Sequence, residues 1–586
     1  DIYVSRELYD HKPEWRTNQL YVNNGDGTFE ERAKEFGIDN SQRTRHATFL
    51  DIDNDGFLDL FLLTQPPNPG SYSEYFGTEL LQPEYSTRMY RNIGGKKFVD
   101  ITMYAGLNRT GFPNAVSASD FNNDGHIDLF VSNDFYAADA LYLNNGNGTF
   151  RDVVTTAFNH LSYFSMGVDV ADINDDGNLD IFVLDMVAED NFRLKRNMSG
   201  MNPDSFWKVV NDGNHFQYMF NNLHLNNGNE TFSEIAQLTN MAATDWSWSN
   251  LIADFDNDGK KDIFVSNGLL RDIRNTDASK AVGKFVTDTA NEWVKNNPDG
   301  GDVSIWDILD IDKALEILPS VPISNYMYRN DGEFKFTKVA KEWGLDTKSF
   351  SHGAAYADFD NDGDLDLILN NMNHEAFVYK NNANNNYVRF SLKSRAHKPV
   401  FGTRIELSTN GSKQFIETTN VRGIYSTSEN IAHFGLGKIA TVDEVKITWP
   451  GGRKTILTNV DINKEIELFL EDAESDVTLD KEKVETLFTE ITDGPLTVSH
   501  TENTFDDYAY QVLLPHKLSQ FGPSLATADI NGDGMSDVLI GGATGFAGQL
   551  MVQQDDGSFV QGANEVFDTD KRYEDIDAVF FDFDND

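Results

Sequence analysis

The sequence predicts an all-β chain: a β-propeller of repeated four-stranded sheets, then a small β-rich domain, then the start of a second propeller. Three observations predict it. A nine-residue acidic loop recurs six times, starting at Asp51, Asp120, Asp172, Asp254, Asp358 and Asp529, and begins again at Asp582. Each copy leads into a short apolar run such as Leu60-Phe-Leu-Leu63 or Ile181-Phe-Val-Leu184, which reads as a buried strand. A second motif follows, in which two apolar stretches flank an Asn-Gly turn, as in Leu20-Tyr-Val-Asn-Asn-Gly-Asp-Gly-Thr-Phe29.

Oxygen-bearing side chains fall at the first, third, fifth and ninth positions of every loop. They are Asp51, Asp53, Asp55 and Asp59; Asp120, Asn122, Asp124 and Asp128; Asp172, Asn174, Asp176 and Asp180. The later copies have Asp254, Asp256, Asp258 and Asp262; Asp358, Asp360, Asp362 and Asp366; Asp529, Asn531, Asp533 and Asp537. Ca²⁺ takes roughly six to eight oxygen ligands, and alternate positions of a short loop can wrap around it. The sixth position is glycine throughout, as a sharp turn requires. The seventh carries Phe57, His126, Asn178, Lys260, Asp364 and Met535, which share no side-chain chemistry, so a ligand there is expected from the backbone carbonyl.

An EF-hand is excluded: it needs a bidentate Glu at its twelfth position, where these copies have Leu62, Val131, Val183, Val265, Leu369 and Ile540. The large apolar second residue (Ile52, Phe121, Ile173, Phe255, Phe359, Ile530) would anchor the loop to a sheet. The loops therefore read as calcium-clipped β-hairpins, with Ca²⁺ the expected cofactor. The alternative is an ion-free turn, since Asp, Asn and Gly favour turns by themselves. Against it, carboxylates so crowded repel one another without a cation.

Composition bounds the rest. At 586 residues two or more domains are expected. The six loops hold 23 of the 94 acidic residues, and the net charge is −46, so six divalent ions would still leave a strongly acidic surface. Nucleic acid is thereby disfavoured as a partner, because its binding rests on Lys and Arg neutralising phosphates. The absence of cysteine excludes a disulfide framework, a thiolate zinc site and a Cys nucleophile. Weak calcium sites fill where the ion is abundant, at roughly millimolar levels outside cells, so the expected setting is extracellular, cell-surface or periplasmic. No apolar run is long enough to span a membrane, and no signal peptide is visible. Asp1-Ile-Tyr-Val-Ser5 matches Asp128-Leu-Phe-Val-Ser132, so the chain reads as opening at the ninth position of a further loop, with both ends truncated.

The Asn-Gly hairpin recurs as Leu141 to Phe150 and Leu223 to Phe232, and more loosely as Met89 to Phe98 and Met327 to Phe336. One repeat is then strand, acidic loop, strand, connection, strand, Asn-Gly turn, strand. Such units repeated radially form a propeller spanning 1–384. Loop-to-loop spacings are 69, 52, 82 and 104 residues, and the surplus lies between second and third strands, at 64–87, 185–221 and 267–324. That connection is at the opposite end from the acidic loops. One face is thus expected to be calcium-stapled and plain, the other elaborated, with a helical last insertion carrying Ala281, Phe285, Ala290, Trp293 and Val294 at roughly helical spacing.

The connections entering each first strand bring Arg45, His46, Asn114, Trp246, Trp248 and His352 to the elaborated face, followed by small residues such as Gly167, Ser249 and Gly353. His46, Trp246, Trp248 and His352 there could hold a sugar or peptide. The alternative is that the tryptophans plug the axis and the histidines cap strand ends.

From 385 to 470 the acidic loops stop, and alternating strands such as Arg404-Ile-Glu-Leu-Ser and Val445-Lys-Ile-Thr-Trp mark a separate β domain. Residues 471–487 read as a linker or short helix. A second propeller begins within 488–586.

Phe521-Gly522, the loop at Asp529 and Gly541-Gly-Ala543 resemble the FG-GAP repeat of integrin alpha propellers, and the earlier loops resemble VCBS repeats. Gly402-Thr-Arg404, Gly423-Ile-Tyr-Ser-Thr-Ser428, His433-Phe-Gly-Leu-Gly437 and Val445-Lys-Ile-Thr-Trp-Pro-Gly-Gly452 resemble the ASPIC/UnbV module, which accompanies such repeats in cartilage acidic protein and in bacterial secreted proteins. The resemblance implies seven-bladed propellers, calcium at the Asp loops, an extracellular or surface setting, and adhesion or ligand binding without an established catalytic activity.

The function expected is recognition of a glycan or protein ligand on the insertion-bearing face. The rival is a secreted polysaccharide lyase or hydrolase, which would need paired carboxylates or a His or Tyr base converging in a cleft. Nearly all recognisable Asp clusters are assigned to metal, and His46, His352 and His433 are lone histidines, so no catalytic residues are assigned.

Overall fold

The computed structural model describes the chain apart from residues 8–11, 67–84, 136, 198–202, 299–301, 475–490, 492–493, 515–516, 564 and 585–586. The fold is mostly β with few helices. Two compact units are present, Asp1–Lys481 and Glu482–Asp586.

Six antiparallel sheets come first. They comprise Ile2–Val4, Gln19–Asn23 and Phe29–Glu31; Arg43–Leu50, Asp59–Gln65, Arg88–Asn92 and Phe98–Asp100; and Pro113–Ser119, Asp128–Asn133, Ala140–Asn144 and Phe150–Asp152. Then come Val168–Ala171, Asp180–Val183, Asn222–Asn226 and Phe232–Glu234; Ser247–Ala253, Asp262–Asn267, Tyr326–Gly332 and Lys335–Lys338; and Ser351–Ala357, Asp366–Asn371 and Phe377–Tyr379. Neighbouring strands within each sheet are antiparallel. In the second to sixth sheets an acidic loop joins first strand to second, and the first strands of these sheets adjoin one another in chain order. The arrangement is propeller-like.

The second strands are continuous apolar runs because they are covered on both faces. Phe61, Phe130, Phe182 and Phe264 stand two residues after the ninth loop position in four successive sheets, all fully buried, so one position repeats the contact between neighbouring sheets. The surplus residues form helices Asn191–Asn197 and Pro203–Asn211 in one insertion and Thr276–Asn296, Ile305–Ile308 and Ile311–Ile317 in another. Asn275 caps the longest by accepting a bond from the Ala278 N–H at 3.0 Å. Most of the first insertion lies outside the described residues, as does most of 471–487.

After Tyr379 the chain builds a three-stranded sheet (Asn386–Lys393 between Ala432–Gly437 and Glu465–Phe469) and a four-stranded one (Ser412–Glu417, Arg404–Thr409, Val442–Thr448 and Lys454–Val460). They share their own core around Phe390, Ile405, Phe434, Ile447 and Trp449. The second unit contains one four-stranded sheet, Leu525–Ala528, Asp537–Ile540, Gln549–Gln553 and Phe559–Gln561.

The loop face is not plain. Arg389 pairs with Asp358 at 2.5 Å and Arg404 with Asp120 at 3.3 Å, while the His433 ring bonds Asn257 at 2.5 Å. The small β domain thus packs on the acidic loops at Asp120, Asp254 and Asp358. Gly435 shows how closely: a Cβ there would overlap the Asp254 carboxylate and the Asn257 backbone.

Candidate metal centres and ligand face

All six loops adopt one hydrogen-bonded turn. The first-position carboxylate accepts from the N–H groups of the fifth and sixth residues: Asp51 from Asp55 and Gly56 at 3.1 and 2.8 Å, Asp254 from Asp258 and Gly259 at 3.1 and 2.8 Å. Asp120, Asp172, Asp358 and Asp529 do the same. The fifth-position carboxylate accepts from the seventh N–H, so Phe57, His126, Asn178, Lys260, Asp364 and Met535 are held by backbone rather than by a shared side-chain role. The ninth-position carboxylate bridges backwards and sideways. One oxygen accepts from the second residue, as Asp59 does from Ile52 at 3.1 Å; the other accepts from the third strand, as Asp59 does from Asn92 at 2.7 Å. Asp128, Asp180, Asp262, Asp366 and Asp537 repeat this with Asn144, Asn226, Asn330, Asn381 and Gln553. Asp1 accepts from Asn23 in the same manner.

Three loops gather carboxylates as a shared cation requires. Asp51, Asp53 and Asp59, then Asp254, Asp256 and Asp262, then Asp358, Asp360 and Asp366 each place one oxygen per residue within 4.8 Å of one another. The Oδ1 of Asp53 is buried and has no hydrogen-bond partner among the described residues. Burial pushes Asp59 up to about 7, Asp172 to about 6 and Asp254 to about 8. Groups so placed are neutralised by a proton or by a cation. The donor set is all oxygen, as Ca²⁺ prefers. In the loops at Asp120, Asp172 and Asp529 an Asn holds the third position, and Asn122 and Asn174 turn their amides onto Asp124 and Asp176.

Two contributors escaped the sequence reading. The fourth residue (Asn54, Asn123, Asp175, Asn257, Asn361) has left-handed backbone, φ 56 to 61°, which Asn and Asp tolerate best after glycine. The third-strand Asn also donates from its side chain to the preceding loop. Asn144 reaches the Ile52 carbonyl at 2.9 Å, Asn226 that of Phe121 at 2.9 Å, Asn330 that of Ile173 at 3.0 Å and Asn381 that of Phe255 at 2.6 Å. The recurrence of Asn in each hairpin was the signal.

On the opposite face the structure brings Trp248 and His352 together, with rings stacked at 4.3 Å and 22°, and the Trp248 Nε1 donates to Gly268 at 2.7 Å. His46 is buried outside that stack, and burial holds it down to about 4, while Trp246 packs on the main core without stacking on the pair. Residues 417–429 of the small β domain occupy the channel between the first strands, bonding those of the second to sixth sheets, and Trp248 packs beside Tyr425 of that segment. Glu417 accepts from the Asp120 N–H at 3.1 Å, Asn420 donates to Phe49 at 2.7 Å and Arg422 to Asp169 at 3.0 Å. Gly423 bridges Val168, Ser426 accepts from Ala354 at 3.0 Å, and the Glu429 N–H donates to Tyr356 at 3.1 Å. The small residues lining the channel make room for this segment: a Cβ on Gly353 would meet the Tyr425 carbonyl at 3.0 Å.

These repeats and this domain are matched independently. The FG-GAP-like repeat family matches residues 1–62, 120–183, 205–265 and 309–369, the FG-GAP repeat matches 521–558, and ASPIC and UnbV matches 393–476. The chain carries FG-GAP repeats and an ASPIC/UnbV domain. It is 24% identical over 361 residues to Cartilage acidic protein 1 of Homo sapiens, covering 60% of this chain and 43% of that one. With the Mus musculus protein the identity is 23% over 361 residues, covering 60% and 44%. The chain therefore spans less than half the length of these relatives. The crystal structure of the V. cholerae biofilm matrix protein Bap1 aligns over 96% of this chain and 82% of that one at 11% identity, with a TM-score of 0.25. Among the described residues no helix is long and apolar enough to cross a membrane.

Proposed function

We propose that this chain is a calcium-clasped recognition or adhesion module acting outside the cytoplasm, at an extracellular, cell-surface or periplasmic site. It binds a glycan or protein ligand on the face that carries the insertions. The observation that carries the reading is the single turn adopted by six separate loops, three of which bring carboxylate oxygens within 4.8 Å of one another. Phe57, His126, Asn178, Lys260, Asp364 and Met535 would each add a backbone carbonyl. The adjoining first strands favour a closed propeller, seven-bladed as the FG-GAP resemblance implies. Packing of the ASPIC/UnbV domain on the loop face leaves the opposite face for ligands, and the FG-GAP repeats and likeness to Cartilage acidic protein 1 fit recognition. The enzyme alternative has less support, because the carboxylates gathered at Asp254 and Asp358 abut that domain, against Gly435 and Arg389, rather than an open cleft.

Calorimetric titration of the chelator-stripped chain with calcium tests the reading. Saturable binding at several sites, with a melting temperature that rises with calcium and not with equimolar magnesium, is expected. A chain that neither binds calcium nor is stabilised by it would overturn the proposal.

A further inference from the structure

The segment that fills the channel also crosses it. It enters beside Asp120 on the loop face, turns at Tyr425 and returns to Asp358. Tyr425 therefore surfaces on the face opposite its own domain. There Arg45 lies over its ring at 5.0 Å and Trp248 sits 6.5 Å away. Tyr425 as a residue is 43% exposed although its backbone is left-handed, φ 56°, a conformation that a bulky residue adopts only where its surroundings impose it. Phe135, φ 62°, is a second such aromatic, next to Asp134. Strained residues of this kind gather at ligand sites.

We propose that the ASPIC/UnbV domain completes a saccharide-binding site by delivering Tyr425 through the channel to the surface where Arg45, Asp134, Arg274 and His352 converge. This rests on the recognition reading above and names its ligand class. Asp134 lies within electrostatic range of Arg45, Arg274 and Tyr425. The His352 Nε2 and Arg45 Nε are buried without a partner among the described residues. A carboxylate, guanidinium groups and an imidazole beside an exposed ring supply acceptors, donors and an apolar platform at once, matching a molecule with hydroxyls on its rim and C–H groups on its face. A peptide adding a strand is less suited, because residues 417–429 already occupy the inner strands it would need.

The test uses the full chain on an array of neutral and uronate oligosaccharides, followed by calorimetry with the best binder. Asn tolerates left-handed backbone, so Tyr425→Asn should remove the ring and keep the fold. Affinity should fall about tenfold or more, while Tyr425→Phe stays close to wild type and Arg45→Gln weakens binding. Trp306→Ala, on the exposed insertion, should bind normally. Undiminished binding by Tyr425→Asn, loss caused by Trp306→Ala alone, or capture of peptides but no sugar would each overturn the proposal. Calcium-dependent melting of the same samples reports on the loops separately. A chain stabilised by calcium that ignores every sugar sinks this inference alone.

Discussion

Arg422 donates to the carboxylate of Asp169 at 3.0 Å and to the Val170 carbonyl at 3.3 Å inside the channel, where the Asp169 side chain is buried and that of Arg422 nearly so. One residue comes from the ASPIC/UnbV domain and the other from the innermost strand of the fourth sheet. The pair ties two cores that are far apart in sequence. Removing one member of a buried pair leaves an uncompensated charge and costs about 3–5 kcal/mol. Arg422→Met should therefore destabilise Asp1–Lys481 by that amount, and adding Asp169→Asn should recover much of it. Urea denaturation of the single and double variants measures both; equal instability in the double variant would show that the charge itself is not the cause.

Gly423 sits one residue further along. A Cβ there would meet the Asn250 carbonyl at 2.8 Å and overlap the Ser249 hydroxyl, and its φ of 62° disfavours any side chain. Gly423→Ala should push the segment out of the channel, costing about 1–3 kcal/mol. Hydrogen exchange should quicken across 417–429 while the central strands of the sheets remain protected. Unchanged protection of the segment would mean the channel is wider than its contacts imply.

Calcium dependence is tested most cleanly at Asp254, which has no ion-pair partner among the described residues, whereas Asp358 also holds the buried Arg389. At calcium about a hundredfold above Kd, a lost site removes ~2.7 kcal/mol. Asp254→Ala should show that deficit in calcium and almost none in EGTA. Asp358→Ala should be destabilised in both. If calcium stabilises Asp254→Ala as much as wild type, Asp254 is not a major ligand.

Asn144 joins two successive loops through its side chain, donating to Ile52 at 2.9 Å and Ile127 at 3.1 Å. Asn144→Ala leaves two carbonyls without these donors and should cost about 2–3 kcal/mol. The neighbouring Asn145 bonds only Thr149 within its own turn and is exposed, so Asn145→Ala should stay within about 0.5 kcal/mol of wild type. Parallel denaturation curves of the two variants decide it.

Buried histidines should make the fold sensitive to acid. Burial holds His224 down to about 3 and His46 to about 4, against an ordinary value of 6.5. Both are neutral when folded and take up a proton on unfolding below pH 6.5. Their stabilising contribution is complete above that value and declines as pH falls toward about 3, by up to ~1.4 kcal/mol per pH unit for each group. His224→Leu should flatten the pH dependence by one proton. The same slope in wild type and variant would mean that His224 is not the titrating group.

Much of the repeat was legible in the sequence because its determinants are local. Glycine at the sixth position, acceptors at the first, fifth and ninth, and an apolar run immediately after them dictate one turn and one strand. The helix Thr276–Asn296 was legible for the same reason, through apolar spacing. The fourth-position Asn was overlooked because it falls outside the alternating acceptor positions, and its roles, a left-handed backbone and side-chain bonds to the next loop, appear only in three dimensions. Trp246, Trp248, His46 and His352 looked alike as aromatics entering first strands. Only stacking separates Trp248 and His352 from the other two.

The sequence by itself determined the repeating sheets, the oxygen-rich turns and the presence of a separate β domain, since each follows from contacts within a few dozen residues. The tertiary structure decided where that domain goes. Its packing on the acidic loops, the passage of residues 417–429 between the first strands and the arrival of Tyr425 beside Arg45 all join residues far apart in sequence. Such contacts depend on the shape of the completed channel, and no local pattern of polar and apolar residues encodes that shape.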